Sequence, residues 1–185
     1  MRSIIACLIS ILLFSECNQE SSETNLNKPE IPDYKVPDDS AITKAVHDAY
    51  SAISFRKGTT LSYDGIKNFF IPQARLINFR SDTAQNVDID QFIGFYRQFV
   101  QANNVQSFYE EELYGRTEQF GNIAQRISSY KTYINTMDSV TERGVNSFQF
   151  VKTRDGWKVS SIIWDVEKPS LPIPEYYLKA ESNTK

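Results

Sequence analysis

Residues 106–166, QSFYEEELYGRTEQFGNIAQRISSYKTYINTMDSVTERGVNSFQFVKTRDGWKVSSIIWDV, form the stretch whose reading decides the fold. Its long runs are rich in Tyr, Phe, Ile, Val, Ser and Thr, and they are broken at Gly121-Asn122 and again at Asp155-Gly156. Both dipeptides favour tight hairpins, whose central residues need a positive φ that glycine and asparagine tolerate. Strands are therefore expected near 106–120, 122–134, 143–153 and 157–167, joined as an antiparallel meander. With Gly121-Asn122 as a two-residue turn, Phe120 faces Ile123, so Arg116 falls opposite Ile127 and Glu112 opposite Lys131.

Upstream of the meander the period changes from two to about 3.6. Ile42, Ala45, Val46, Ala49 and Ile53 recur at three-and-four spacing, with Asp39 or Ser40 as N-cap, Arg56 and Lys57 towards the end and Gly58 just beyond. A shorter helix is expected over 62–70, stopped by Pro72, and 74–79 alternates like a strand. Asp88 and Gln91 have capping-box spacing, and Ile89, Phe92, Ile93, Tyr96, Phe99 and Val100 keep the helical period behind them. Helices first and an antiparallel meander afterwards point to an α+β fold, with helices packed on one face of a curved, mostly antiparallel sheet.

The whole chain has 185 residues, 41% hydrophobic, with 23 acidic against 20 basic side chains, which suits one soluble domain. A net charge of -3 offers no basic surface to displace counterions from phosphates, so no nucleic-acid partner is expected. Two cysteines cannot make a disulfide scaffold, and the fold must rest on its apolar core.

At the N-terminus Arg2 precedes an apolar run of eleven residues from Ile4 to Phe14, too short for a helical membrane span of about 20. A basic start before a run of this length reads as a secretory signal over residues 1–16. Residues 17–40 follow as a flexible tether, with Pro29, Pro32 and Pro37 and with Tyr34 as the only aromatic, too little apolar surface to offset ordering entropy. Leu13-Phe14-Ser15-Glu16-Cys17 resembles the lipobox of bacterial lipoproteins, in which the cysteine becomes the lipidated first residue; Glu16 departs from the usual small residue. Lipidation of Cys17, with membrane contact through a lipid anchor, and plain secretion are the two outcomes of export. The domain proper is expected over 41–178, with a tail at 179–185.

The order helix, short helix, strand, helix, meander, closing on Asp155-Gly156-Trp157-Lys158-Val159, resembles the NTF2-like (SnoaL-like) superfamily of cone-shaped α+β domains. Phe120-Gly121-Asn122-Ile123-Ala124, Ser128-Ser129-Tyr130, Arg143-Gly144-Val145-Asn146-Ser147 and Trp164-Asp165 add to that resemblance. It implies a cone pocket, but members include isomerases, dehydratases, small-molecule binders and assembly modules, so it assigns no reaction. It also implies a homodimer paired sheet to sheet. That agrees with Val145 and Val151 lying on the opposite strand face from Phe148 and Phe150, where the helices would leave them uncovered. Enzymes of the superfamily usually carry a general-base Asp on the strand after the second helix. Asn78 stands at that place here, and an amide can hydrogen-bond a ligand but cannot take its proton at neutral pH.

Few residues offer other chemistry. His47 is the only histidine, no Gly-x-Ser-x-Gly elbow or phosphate-cradling glycine loop occurs, and neither a metal site nor a cofactor is expected. Glu110, Glu111 and Glu112 are the densest carboxylates; strand alternation sends Glu110 and Glu112 to one face, with Arg116, and Tyr130 to the other. That trio is expected either as a solvated face, with Glu112 paired to Lys131, or as the polar wall of a pocket in which Glu110 or Glu112 acts as general base. Tyr50, Tyr130 and Trp164 are bulky with polar tips, and Asn146 on an interior strand needs partners if buried. With Asn78 and Arg116 they are the candidate ligand contacts. The sequence thus supports three functions: a binding module for a small apolar or amphipathic molecule, a lyase or isomerase using a strand glutamate, and a structural or partner-binding module of the cell envelope.

Overall fold

A computed structural model describes residues 36–81 and 83–179. The signal segment, Cys17, residues 18–35 of the tether and residues 180–185 of the tail lie outside them. Two helices, α1 (Asp39–Ile53) and α2 (Ile89–Ala102), accompany six strands: β1 (Phe70–Asn78), β2 (Gln85–Asp88), β3 (Phe108–Phe120), β4 (Ile123–Ile134), β5 (Glu142–Thr153) and β6 (Gly156–Val166). The strands form one curved, open sheet in the order β2-β1-β6-β5-β4-β3. Only β1 and β6 run parallel.

The meander forms where its turn residues place it. Gly121 adopts a φ of +54° and Phe120 pairs with Ile123, so the expected register holds from that turn back to Arg116 opposite Ile127. The second hairpin turns on Arg154-Asp155, with Gly156 at φ +98° opening β6 opposite Thr153. The helix α2 starts at a complete capping box: the Asp88 side chain accepts from the Gln91 backbone at 2.8 Å, and the Gln91 side chain accepts from the Asp88 backbone at 3.0 Å.

Tertiary contacts override several local expectations. The helix α1 ends at Ile53, short of Gly58, because Phe55 leaves it to exchange backbone hydrogen bonds with Phe108 of β3 at 2.7 and 2.9 Å. Its N-cap is Asp38, whose carboxylate accepts instead from Trp157 Nε1 at 3.2 Å and Lys152 Nζ at 2.5 Å. Val36 packs against the core, so residues 36–40 belong to the domain rather than to the tether. The short helix is a 3-10 turn, Asp64–Phe69, and Pro72 lies inside β1 where the register with β6 shifts, a place that tolerates the missing N–H. The four-residue β2, too short to carry a period, was not expected; it pairs with β1 and leads straight into Asp88.

The inner sheet face carries the core. Ile42, Val46, Ala49 and Tyr50 of α1 pack on Ala124, Tyr130, Phe148, Phe150, Trp157 and Val159. A second cluster joins α2 to β1, β2 and β3 through Leu76, Val87, Ile89, Ile93, Tyr96 and Phe108. Fully burying an aliphatic or aromatic side chain of this kind contributes about 1.5–3 kcal/mol. On the outer face the segment after β6 returns across the sheet, and the Ser129 hydroxyl donates to the Tyr177 carbonyl at 2.5 Å. This chain therefore covers part of the outer face itself, while Ile163 stays 40% exposed.

Candidate functional site

Between the inner sheet face, α1 and α2 lies a cavity of about 520 Å³. Cross-strand register builds its floor in rows. Glu110, Thr132 and Glu142 stand side by side on β3, β4 and β5, and Asn146, Trp164 and Asn78 do the same on β5, β6 and β1. All six line the cavity, with Tyr130 between the rows and Tyr50 above them on α1. The α2 side contributes Phe92, Phe95, Tyr96 and Phe99. Of the lining residues, Phe95, Phe99, Arg80, Gln85 and Thr141 are exposed, which marks where the cavity opens.

The expected register fails at one point. A β-bulge at Leu113 shifts the pairing so that Glu111, not Glu112, opposes Lys131, and the two form an ion pair at 2.9 Å. Glu112 instead opposes Tyr130, on the same face, and points inward. There it binds Arg126 through two hydrogen bonds of 2.9 and 2.8 Å, with both side chains 7% exposed. Gly115 makes room for this pair, since a Cβ there would collide with both the Glu112 carboxylate and the Arg126 guanidinium. Burial pushes the Glu112 carboxyl up, but the bonds from Arg126, helped by Ser128 and His47, outweigh it and hold the group below the usual carboxylate range. Glu112 is thus buried and paired with Arg126 rather than solvated, and it does not line the cavity.

Past the bulge, Arg116 turns to the outer face. It is 69% exposed and stands beside Tyr114, Ile127, Ser129, Tyr176 and Tyr177, away from the cavity. The face shared by Glu110, Glu112 and Arg116 therefore does not exist, because one extra residue inverts every later side chain. His47 lies outside the cavity, its Nε2 3.4 Å from Glu112.

Glu110 is the chemically distinct group. Its carboxylate accepts one hydrogen bond, from the Thr132 hydroxyl at 2.9 Å, and it makes no ion pair among the described residues. Burial pushes its carboxyl up to about 7; the Thr132 bond opposes this, the neighbouring Glu142 charge adds to it, and Arg80 opposes it. Glu142 is held by a bidentate pair with Arg80 at 2.5 and 2.7 Å. The Tyr130 hydroxyl donates to Glu142 at 3.0 Å. Gly144 permits that approach, since a Cβ there would come within 2.6 Å of the Tyr130 hydroxyl.

The remaining polar tips are satisfied locally. The Tyr50 hydroxyl lies 2.7 Å from Ser128 Oγ and accepts from the Asn146 amide at 2.9 Å. Burial raises both the Tyr50 and Tyr130 phenols far above their ordinary value, so both stay protonated. Asn78 donates to Gln85 at 2.9 Å and accepts the Arg80 backbone N–H at 3.3 Å, so it shapes the turn that presents Arg80. Of the eight candidates, Glu110, Tyr50, Asn78, Tyr130, Asn146 and Trp164 thus converge on the cavity, and Glu112 and Arg116 do not. The sequence reading missed Thr132, Glu142, Arg80 and the α2 aromatics. The spacing of Phe92, Tyr96 and Phe99 was visible as a helical stripe, but nothing local shows that part of a stripe lines a void. Among the described residues no group of three or more His, Cys, Asp or Glu is placed to hold a metal ion.

No protein-family model matches the sequence, and no curated protein matches it significantly. Solved structures do resemble it. A protein of unknown function with a cystatin-like fold from Nostoc punctiforme superposes with a TM-score of 0.58 at 11% identity, over 75% of this chain and 96% of that one. An NTF2-like protein with a cystatin-like fold from Novosphingobium aromaticivorans gives 0.54 at 9% identity, over 77% and 89%. An NTF2-like protein of unknown function from Methylobacillus flagellatus gives 0.51 at 13% identity, over 74% and 97%. At such identities the likeness shows the fold alone, and that fold is α+β and NTF2-like.

Proposed function

We propose that this domain binds a small apolar or amphipathic molecule in its cone cavity. The observation that carries the reading is the cavity itself: about 520 Å³, with mostly apolar, aromatic-rich walls and polar groups such as Glu110, Thr132, Glu142 and Asn146 among them, as small-molecule sites are built. Catalysis by proton transfer, as a lyase or isomerase, is the second reading, and the raised carboxyl of Glu110 favours it. Such a reaction also needs a donor for the developing oxyanion. The three buried tyrosine hydroxyls around Glu110 already serve protein groups: Tyr50 with Ser128, Tyr96 donating to the Ile53 carbonyl at 2.6 Å, and Tyr130 donating to Glu142. Recognition is accordingly the better-supported role.

The sequence of residues 1–17 supports export, with lipidation at Cys17 tying the domain to the bacterial cell envelope. The partly covered outer face, with Ile163 exposed, supports a homodimer, for which light scattering at tens of micromolar should give twice the chain mass.

Trp164 lines the cavity and Trp157, the only other tryptophan, does not, which permits a direct test of binding. In Trp157→Phe, decylamine, decanol or decanoate should change Trp164 emission saturably, and in Trp164→Phe the same additions should leave Trp157 emission unchanged. If none of the three produces a saturable change, the binding reading fails and the envelope structural module takes its place.

A further inference from the structure

Charge accounting inside the cavity leaves one group without a counterpart. The Arg80 guanidinium is bound through both arms to Glu142, so neither of these charges is free for a ligand. Glu110 shares the cavity with that neutral pair, makes no ion pair among the described residues and takes only the Thr132 hydroxyl. An ionised carboxylate can accept about four hydrogen bonds, so most of its capacity is unused, and the surface it keeps open faces the cavity.

Aromatic rings share the cavity with it. Tyr50 from α1, Tyr96 from α2 and Tyr130 from β4 line the same cavity as Glu110. Their hydroxyls are directed at protein partners, so none of them donates to Glu110. Tyr50 and Tyr130 stand 6.4 Å apart in a tilted pair, and Tyr96 meets Phe108 edge to face at 5.4 Å. Ring faces are electronegative and attract cations most strongly where water is excluded.

We infer that the occupant of this cavity is an organic cation, an amphipathic amine whose ammonium group sits between the Glu110 carboxylate and the surrounding tyrosine rings, with its apolar part along the α2 aromatics. The inference rests on the ligand-binding reading and narrows it. An ammonium supplies up to three donors to the unused lone pairs of Glu110 and faces the rings with its remaining surface. An anionic ligand would meet Glu110 with no free cation among the described lining residues to offset it. A neutral one would leave an ionised Glu110 uncompensated beside the Glu142–Arg80 pair, or require it to take up a proton.

The test uses the full chain, decylamine, decanol and decanoate, and Trp164 emission or calorimetry at pH 8. Decylamine should bind about tenfold more tightly than decanol, with decanoate weakest. In Glu110→Gln the amine and the alcohol should come within about twofold of each other, while retained decanol binding shows that the cavity is intact. Lowering the pH to 5.5, where Glu110 is protonated, should erase the preference in the wild type as well. Equal binding of amine and alcohol, preference for decanoate, or an amine preference surviving in Glu110→Gln would each overturn the inference. Binding of none of the three would remove the ligand-binding reading itself.

Discussion

Replacing Glu110 with Gln should stabilise this protein, and only above mildly acidic pH. In the folded state burial raises the carboxyl from 4.5 to about 7. Between those two values the folded chain holds a proton that the unfolded chain has released, so unfolding stability falls as pH rises. Below pH 4.5 both states are protonated and nothing is lost; above pH 7 both are ionised and the loss is complete. At about 1.4 kcal/mol per pH unit the full displacement corresponds to about 3 kcal/mol. Glu110 keeps some surface open to the cavity, and water there screens part of the cost, so a loss of about 1–3 kcal/mol is expected. Glutamine keeps the oxygen that accepts from Thr132 and carries no charge. Glu110→Gln should therefore match the wild type near pH 4.5 and exceed it by that amount at pH 8. At about 2–4 °C per kcal/mol for a chain of this size, the melting temperatures should separate by several degrees. Thermal melts at half-unit steps from pH 4.5 to 8.5 read this directly, and subtraction removes every contribution common to both proteins. Parallel pH profiles would refute the assignment of Glu110 as the buried, unpaired carboxylate.

Gly115→Ala should destabilise by about 1–3 kcal/mol in urea unfolding, because its Cβ meets the ends of the buried Glu112–Arg126 pair, which can withdraw only by giving up hydrogen bonds. A change below about 0.5 kcal/mol would show that the pair is looser than its 7% exposure implies. At the N-terminus, Cys17→Ala should move the protein from the membrane fraction to the soluble one, and mass spectrometry of the wild-type N-terminal peptide should show lipid. A wild-type protein already wholly soluble, with no lipid on that peptide, would remove the anchor.

How much of this was written in the sequence depends on the range of the interactions involved. The four meander strands, both hairpins and the Asp88–Gln91 capping box come from residues at most a few positions apart, and the structure places them within a residue or two of where the sequence does. Six of the eight candidate site residues reach the cavity for a similar reason, since bulky side chains with polar tips on an inward face need both packing and partners. The bulge at Leu113 is different. It sits beside Gly115, Glu112 and Arg126, which meet only once β3 and β4 have paired, and alternation read along one strand cannot register it. That single residue inverted the roles expected around it, sending Glu111 to Lys131, Glu112 to a buried guanidinium and Arg116 to the outer face. The early end of α1 and the parallel pairing of β1 with β6 likewise come from contacts between distant segments, Phe55 with Phe108 and Leu76 with Ile162. The same holds for Glu110. A glutamate on a strand is ordinary in sequence, and only its burial in the cavity, the engagement of Arg80 by Glu142 and the lack of an ion-pair partner among the described residues make it the described carboxylate that the fold holds protonated to higher pH.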